Sequence, residues 1–371
     1  MRILPFEAYY PNKELISSPE LFFDEVSNQY NDFKKAGFFK KTGAKCLYVY
    51  EISNPVNNHR GLIASHDVRD YTENKILGHE NTIAEREQQI MQLMMLRKAM
   101  IKPVLLTHEP IEEIASLLQH YIENTQPFLS LYLENEKEYH KVWAITEKTD
   151  IDTMIEIYRD KLETLYIADG HHRSSTTLRL LQNHHLSGKT QDASAILSCY
   201  FAYDQLKIYD YNRVIDVFSI MSPVTFIALL SEYATIKPIK TGKKPGRKFE
   251  FTMYIQKEWF NVKWKKKYIQ AEIKHNKIIL DTTLINHWIM EKILRIKDIR
   301  TTKLVQYFEG KSGLNPLTKE VNKNPNLVGF CIYPVDISEV VAFSDQGINL
   351  PPKSTWFEPR IKNGLLVKEI V

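Results

Sequence analysis

Apolar positions along this chain alternate between helical spacing and short continuous runs, the mark of mixed helices and strands. Pro19 to Lys35 predicts an amphipathic helix. The run Leu47-Tyr48-Val49-Tyr50 within Cys46 to Ile52 predicts a strand. A polar turn from Asn54 to Arg60 leads to a second strand at Gly61 to Ser65, so the pair predicts a hairpin. Helical spacing returns over Thr82 to Met100, where Ile83, Ile90, Leu93 and Met94 share a face that Met91, Met95 and Met100 thicken. Methionines at that spacing read as adaptable core. Thr82 and Glu85 are spaced as a capping box.

Pro103 ends that helix and Val104-Leu105-Leu106 reads as a strand. Helices at Ile111 to Glu123 and Ile151 to Glu163 enclose a strand at Tyr139 to Ile145. Leu165 to Ala168 is a short apolar strand, followed by a helix over Arg173 to His184. Ala195 to Tyr203 and Gln205 to Val214 are expected to form a second hairpin around Asp204. Beyond it come a helix at Pro223 to Tyr233, a strand-rich basic stretch from Lys248 to Ile279, and a helix at Thr282 to Leu294 that Asp281 is placed to cap. The expected class is α+β, a mixed α/β layout in two regions, 1–215 and 216–371, with a further break at Thr241 to Gly246.

With 371 residues and 43% apolar content, the chain can bury its cores without covalent staples. Its three cysteines, Cys46, Cys199 and Cys331, are scattered and form no CxxC pair, which suits small hydrophobes in a reducing compartment. No apolar stretch approaches the roughly 18 residues that span a bilayer, and the first ten residues lack a secretory pattern. A soluble cytoplasmic protein without membrane partners is expected. The net charge is +4, but Lys237 to Lys277 carries 13 Lys/Arg against three acids, so that window is +10 and the rest of the chain −6. Lys265-Lys266-Lys267 beside Trp264 could grip a single strand. Lysines also protect a sheet edge from aggregation, and no recognition helix or zinc spacing accompanies them, so a nucleic-acid partner is not expected.

The chemistry gathers at Leu165-Tyr166-Ile167-Ala168-Asp169-Gly170-His171-His172-Arg173. A buried strand, a tight turn and a helix start bring four ionisable side chains to the carboxyl end of a strand, where α/β ligands collect. Gly170 permits a cramped backbone, and the helix offers unpaired N–H groups to an anion. Arg173 can grip phosphate with two parallel hydrogen bonds, and His171, His172 and Ser174 can add donors. Asp169 can bind magnesium or accept a proton from a hydroxyl. Glu80, beside His79, is a second candidate for base or magnesium ligand, and His172 joins Asp169 and Glu80 as a catalytic candidate. Arg213 could clamp an anion or pair with Asp210 or Asp216, while Lys353 and Ser354 follow two stiffening prolines and could bind phosphate. His184-His185 suits a helix C-terminus better than a metal.

The segment Tyr166 to Arg173 resembles the signature of the DUF1015 family, grouped with the ParB/sulfiredoxin-like superfamily. Gly78-His79-Glu80 resembles that family's Lys-His-Glu element, and Lys102-Pro103-Val104-Leu105-Leu106-Thr107 its apolar strand. Tyr211-Asn212-Arg213-Val214-Ile215 is similar to its Tyr-Asn-Arg element, and Leu350 to Arg360 to its closing motif. The superfamily includes free-serine kinases with a similar Asp-Gly-His turn. The resemblance therefore implies a nucleotide-dependent phosphotransferase using ATP or ADP and Mg2+ on a small hydroxyl substrate such as serine or phosphoserine. Two alternatives stay open. One is a hydrolase with a metal on Asp169, His171 and His172, although adjacent helical residues point roughly 100° apart. The other is a ParB-like nucleotide- or DNA-binding regulator. The chain departs from the family pattern at Gly78, which replaces Lys, at Ser174-Ser175, where Tyr-Glu is common, and in lacking a Pro-Tyr-Asp-Val element near residues 15–30. No Walker sequence is present.

Overall fold

A computed structural model describes residues 1–183, 195–275, 278–296, 298–299 and 302–370. They fall into two units, Met1–Lys207 with Pro359–Val371, and Ile208–Glu358. A division at residue 215 would cut the strand Tyr211–Asp216, which is laddered on both sides within the second unit. The last residues of the chain return to the first.

The first unit is built on a nine-stranded mixed sheet. Its main strands are β1 (Leu47–Ser53), β2 (Asn58–Asp67), β3 (Val104–His108), β4 (Leu129–Leu133), β5 (Glu138–Ile145), β6 (Leu165–Asp169) and β7 (Ala195–Ala202). The order runs Ile76–Leu77, β6, β3, β7, β2, β1, β5, β4, with Ile3–Leu4 added to β2. The expected hairpin is β1–β2, in antiparallel register with Tyr50 opposite Gly61. The helices are α1 (Pro19–Lys35), α2 (Ala84–Arg97), α3 (Glu112–Asn124), α4 (Lys148–Lys161) and α5 (His171–Asn183). Leu118, Tyr121, Met154 and Tyr158 from α3 and α4 share one core with Leu47, Val49, Leu62 and Leu106 from the sheet. Each such side chain contributes roughly 1.5–3 kcal/mol by leaving water.

Three local expectations change. Ile83, not Thr82, holds the N-cap of α2, in extended conformation and with no side-chain bond to the helix. The methionine face is only partly core: Met94 is buried, while Met95 and Leu96 are exposed. The second hairpin does not form, because β7 pairs with β2 and β3, whereas Tyr211–Asp216 pairs with strands of the other unit.

The second unit holds a six-stranded sheet of β8 (Tyr211–Asp216), β9 (Ala234–Ile239), β10 (Glu250–Ile255), β11 (Glu258–Trp264), β12 (Val305–Glu309) and β13 (Leu327–Ile332). Its order is β9-β11-β10-β13-β8-β12, antiparallel throughout. The helix α6 (Pro223–Tyr233) and the helical segments Asp281–Leu284 and Ile285–Ile293 share the core of this sheet through Phe226, Leu230, Leu284 and Ile289. Asp281 is not a cap. Leu280 holds that position, and the Asp281 carboxylate accepts the Phe249 N–H at 2.8 Å. The three cysteines are buried and unbridged. No helix among the described residues is long and apolar enough to cross a membrane.

Candidate functional site

β6 runs buried from Leu165 to Ala168 and breaks register between Ile167 and Asp169. A bulge of this kind re-aims the side chain that follows it, here Asp169. Gly170 then takes a φ of +108°, which L side chains rarely adopt. A Cβ there would also stand 2.6 Å from Nη2 of Arg173. Glycine is thus required twice, for the turn and for the guanidinium lying over it. The Ser174 N–H donates to the Gly170 carbonyl at 2.9 Å, closing the first turn of α5.

Asp169 sits among cations. Nη2 of Arg173 donates to Oδ2 at 2.8 Å, Nη1 of Arg360 donates to Oδ1 at 3.2 Å, and Nζ of Lys102 stands 4.0 Å from Oδ2. Burial works to raise the Asp169 pKa, yet Arg173, Lys102 and Arg360 outweigh it and hold the carboxyl well below its usual range. Lys102 moves the other way. Burial, then the neighbouring Arg173 with Arg360 and Lys362, lowers its ammonium to about 8 against the pull of Asp169. One carboxylate shared by three cations leaves a surplus of positive charge at the start of a helix, which favours a bound anion.

This centre is reachable. Lys102 and Arg173 line a cavity of about 340 Å³ with Met94, Met100 and Ile196. Lys102 also lines a polar cavity of about 230 Å³ with Glu20, Asp24, Glu136 and Lys362. A larger cavity of about 520 Å³, beside His108, Tyr158 and Tyr200, holds none of the residues selected from the sequence.

The two histidines of the turn go separate ways. The His171 ring is buried and packs edge-on against His79. Its Nε2 accepts the His79 backbone N–H at 3.1 Å, and its Nδ1 faces Oε2 of Glu80 at 3.6 Å. Burial, with His79 close by, holds its pKa well below the usual histidine value, so the ring is neutral and its proton sits on Nδ1. Burial likewise lowers His79 to about 4. The Gly78 departure has a local reason, since a Cβ at that position would meet Cδ2 of His171 at 2.9 Å. His172 is half-buried and accepts the Ile83 N–H at 3.3 Å through Nδ1, at the start of α2. Among the described residues, Asp169, His171 and His172 do not form a cluster tight enough to hold a metal. The two proposed magnesium carboxylates also differ in company: Asp169 lies among cations, Glu80 beside a neutral imidazole.

The remaining candidates each have their own neighbours. Ser174 is buried against Tyr71, so its hydroxyl is turned from solvent. Ser175 donates to Oε1 of Glu87 at 2.5 Å, tying α5 to α2 where the family has Tyr-Glu. In the second unit, Arg213 is wholly buried, with Nη1 3.4 Å from the Tyr211 carbonyl and the Tyr307 ring 5.5 Å away. Lys353 is exposed and lies 5.1 Å from the Tyr211 ring. Ser354 is buried, donating to the Pro351 carbonyl at 2.6 Å. The basic window is partly neutralised by its surroundings. Lys244 pairs with Asp210, Lys248 with Glu339 and Lys263 with Glu250. Lys266 begins a helix rather than continuing a strand. His184, His185 and Lys277 lie outside the described residues. Sequence reasoning missed Lys102 and Arg360 as site residues. Both stand inside motifs it quoted, the apolar strand and the closing motif, but nothing local shows that they meet at residue 169.

Comparison with known proteins gives one family and several distant structures. The profile of "Protein of unknown function (DUF1015)" matches residues 6–284, a stretch that excludes the closing motif around Arg360. No curated protein matches. Among solved structures, SbnI with a C-terminal truncation from Staphylococcus aureus is similar at 12% identity, covering 81% of this chain and 85% of that one, with a TM-score of 0.42. A free serine kinase in complex with AMP is similar at 13% identity, covering 82% and 92%, with a TM-score of 0.37. A conserved hypothetical protein from Pyrococcus furiosus is similar at 15% identity, covering 83% and 95%, with a TM-score of 0.37. Likenesses this distant carry no functional weight. The profile match spans most of the chain and contains the Asp169 turn, and by it the chain belongs to the DUF1015 family.

Proposed function

We propose that this protein is a nucleotide-dependent phosphotransferase that uses ATP or ADP and acts on a small hydroxyl compound of the serine or phosphoserine class. The observation that carries the reading is the sharing of one carboxylate, Asp169, by Lys102, Arg173 and Arg360 at the start of α5. Phosphoryl transfer asks a protein chiefly to position charged oxygens and to stabilise them. Arg173, Arg360 and Lys102 take that role here, the N–H groups of the α5 first turn add to it, and Gly170 makes room for the Arg173 guanidinium over the turn.

Asp169 holds the two guanidinium groups in place. It is a weak base, because a carboxyl kept so far below its usual range gains little by taking a proton near neutral pH. It is also a poor magnesium ligand, since an arriving dication would meet three cations within a few ångströms. Glu80 is the better candidate for general base: it is exposed, and one carboxylate oxygen lies 3.6 Å from the neutral His171 ring. The serine class comes from the resemblance of the Asp-Gly-His turn to free-serine kinases, and the geometry itself supports only an anionic group bound next to a small polar cavity.

The test is to incubate purified protein with ATP or ADP and a panel of hydroxyl amino acids while following phosphorylated product. Arg173→Ala is expected to lower turnover by about 100-fold or more, assayed well below the melting temperature of the variant, which falls because Asp169 loses its nearest cation. Wild-type turnover in both Arg173→Ala and Asp169→Asn would overturn the proposal, as would failure of the wild-type protein to bind any nucleotide.

A further inference from the structure

Glu138 and His140 stand two residues apart on β5, so their side chains share a face of the sheet. Glu136 joins them from the preceding turn, and one ligand atom from each of the three lies within 4.8 Å of the others. Two acids near each other would mean little. The third member is of another kind. His140 is wholly buried, its Nδ1 lies 2.6 Å from the Tyr50 hydroxyl, and its Nε2 is sealed from water with no hydrogen-bond partner. A buried imidazole nitrogen left unbonded, on a residue that clusters with two carboxylates, costs free energy that a ligand would recover.

We propose that Glu136, Glu138 and His140 form a binding site for one divalent transition cation, zinc or manganese. The ligands are Nε2 of His140 and one oxygen from each carboxylate. A mixed imidazole and carboxylate set suits first-row transition ions better than calcium, which prefers oxygen alone. The surroundings are arranged as metal sites commonly are. The Tyr50 hydroxyl fixes the ring through the nitrogen that does not bind the ion, and the Asn54 side-chain amide donates to Oε1 of Glu138 at 3.2 Å. Lys362 pairs with Oε1 of Glu136, so one of the two carboxylates is balanced before the ion arrives. Ligand atoms bonded at about 2.1 Å to a tetrahedral ion lie roughly 3.4 Å apart, so the side chains must draw in by about 1 Å. Glu136 is the exposed member and the one free to make that movement, and its side leaves a position for water. Glu136 and Lys362 border the polar cavity that Lys102 also lines, but metal binding here is read without any phosphotransferase activity.

The test uses the full chain, stripped with EDTA, dialysed, and titrated with zinc chloride or manganese chloride. Bound metal is counted by mass spectrometry, and thermal melting is followed in parallel. One ion per chain and a higher melting temperature are expected. Glu136→Gln and His140→Gln should each weaken binding at least about tenfold, and Tyr50→Phe, which keeps the ring, by about ten- to hundredfold. Glu136→Gln is exposed and will fold, so it decides the matter if His140→Gln does not. Wild-type protein that retains no metal, or Glu136→Gln that retains it as well as wild type, would overturn the site.

Discussion

Asp169 with Arg173 in the first unit and Asp210 with Arg213 in the second use the same two residue types, three or four positions apart, to opposite ends. Asp169 is partly exposed and outnumbered by cations, which hold its pKa down. Asp210 is buried, and burial raises its pKa although Lys244 and Arg213 pull against it. Arg213 shows the mirror effect: burial lowers it, while Tyr307 and Asp210 raise it. Residue type therefore does not separate a part-exposed, cation-rich cluster from a buried one. Exposure and the sign of the leftover charge do. The Asp169 cluster keeps positive charge at the edge of a cavity, where an anion can enter. The Arg213 guanidinium lies under Tyr307 in a sheet whose strands flank it on both sides.

The sharpest way to break this contrast is Arg213→Ala. Removing a wholly buried guanidinium empties its place in the sheet, while Asp210 keeps Lys244, so unfolding free energy should fall by about 2–5 kcal/mol. Urea melts would show it, and nucleotide affinity measured below the transition should stay at the wild-type value. Reduced nucleotide affinity with unchanged stability would make Arg213 a ligand contact and erase the distinction.

A second test reads the two electrostatic regimes through pH. Asp281, in the second unit, has its pKa raised to about 7, chiefly by burial, with the Phe249 N–H pulling the other way. Its folded value lies above the ordinary 3.8, so between those two values the folded state binds more protons than the unfolded chain. Stability from this group is present at low pH and drains away as pH rises toward 7. Asp169 behaves in the opposite sense: depressed below 3.8, it contributes stability above that value and loses it as acid is added. Asp281→Asn keeps an acceptor for Phe249 and removes the buried charge. It should stabilise the protein by on the order of 3 kcal/mol at pH 8 and bring little change at pH 4. Equal effects at the two pH values would show that Asp281 is not held protonated by its surroundings.

Periodicity read well where packing obeys it. The helix Pro19–Lys35, the β1–β2 hairpin and the strand entering the Asp-Gly-His turn were all legible in the pattern of apolar residues. Three things were not. Strand partners depend on distant chain, so β7 and β8 looked like a hairpin although they belong to different sheets. Caps depend on one pair of backbone angles, so Thr82 and Asp281 had the right residue type one position from the right place. The turn itself could be picked out because four ionisable residues follow a buried strand. Its neighbours could not, because Lys102 and Arg360 arrive from the start of β3 and from the returning tail, and no local spacing ties them to Asp169.

Arg360 offers the smallest and most selective test of the contrast. It comes from the returning tail, beyond the stretch that the family profile matches, and it donates to Oδ1 of Asp169 at 3.2 Å. If the centre works through surplus charge, Arg360→Ala removes one of three cations and leaves Arg173 bonded to the other carboxylate oxygen. The side chain is about 30% exposed, so the fold should lose little. A charge-assisted bond to a ligand is worth about 1.5–3 kcal/mol, and part of it is screened at such exposure, so nucleotide affinity should drop about tenfold. Salt dependence distinguishes this from a purely structural role. With fewer cations facing the anion, the decline of affinity with ionic strength should be shallower in Arg360→Ala than in wild type. Arg360→Lys, which keeps the charge and loses the planar fork, should restore the salt slope but only part of the affinity. An unchanged slope in Arg360→Ala would mean that the tail closes the fold around Asp169 without taking part in what the site binds.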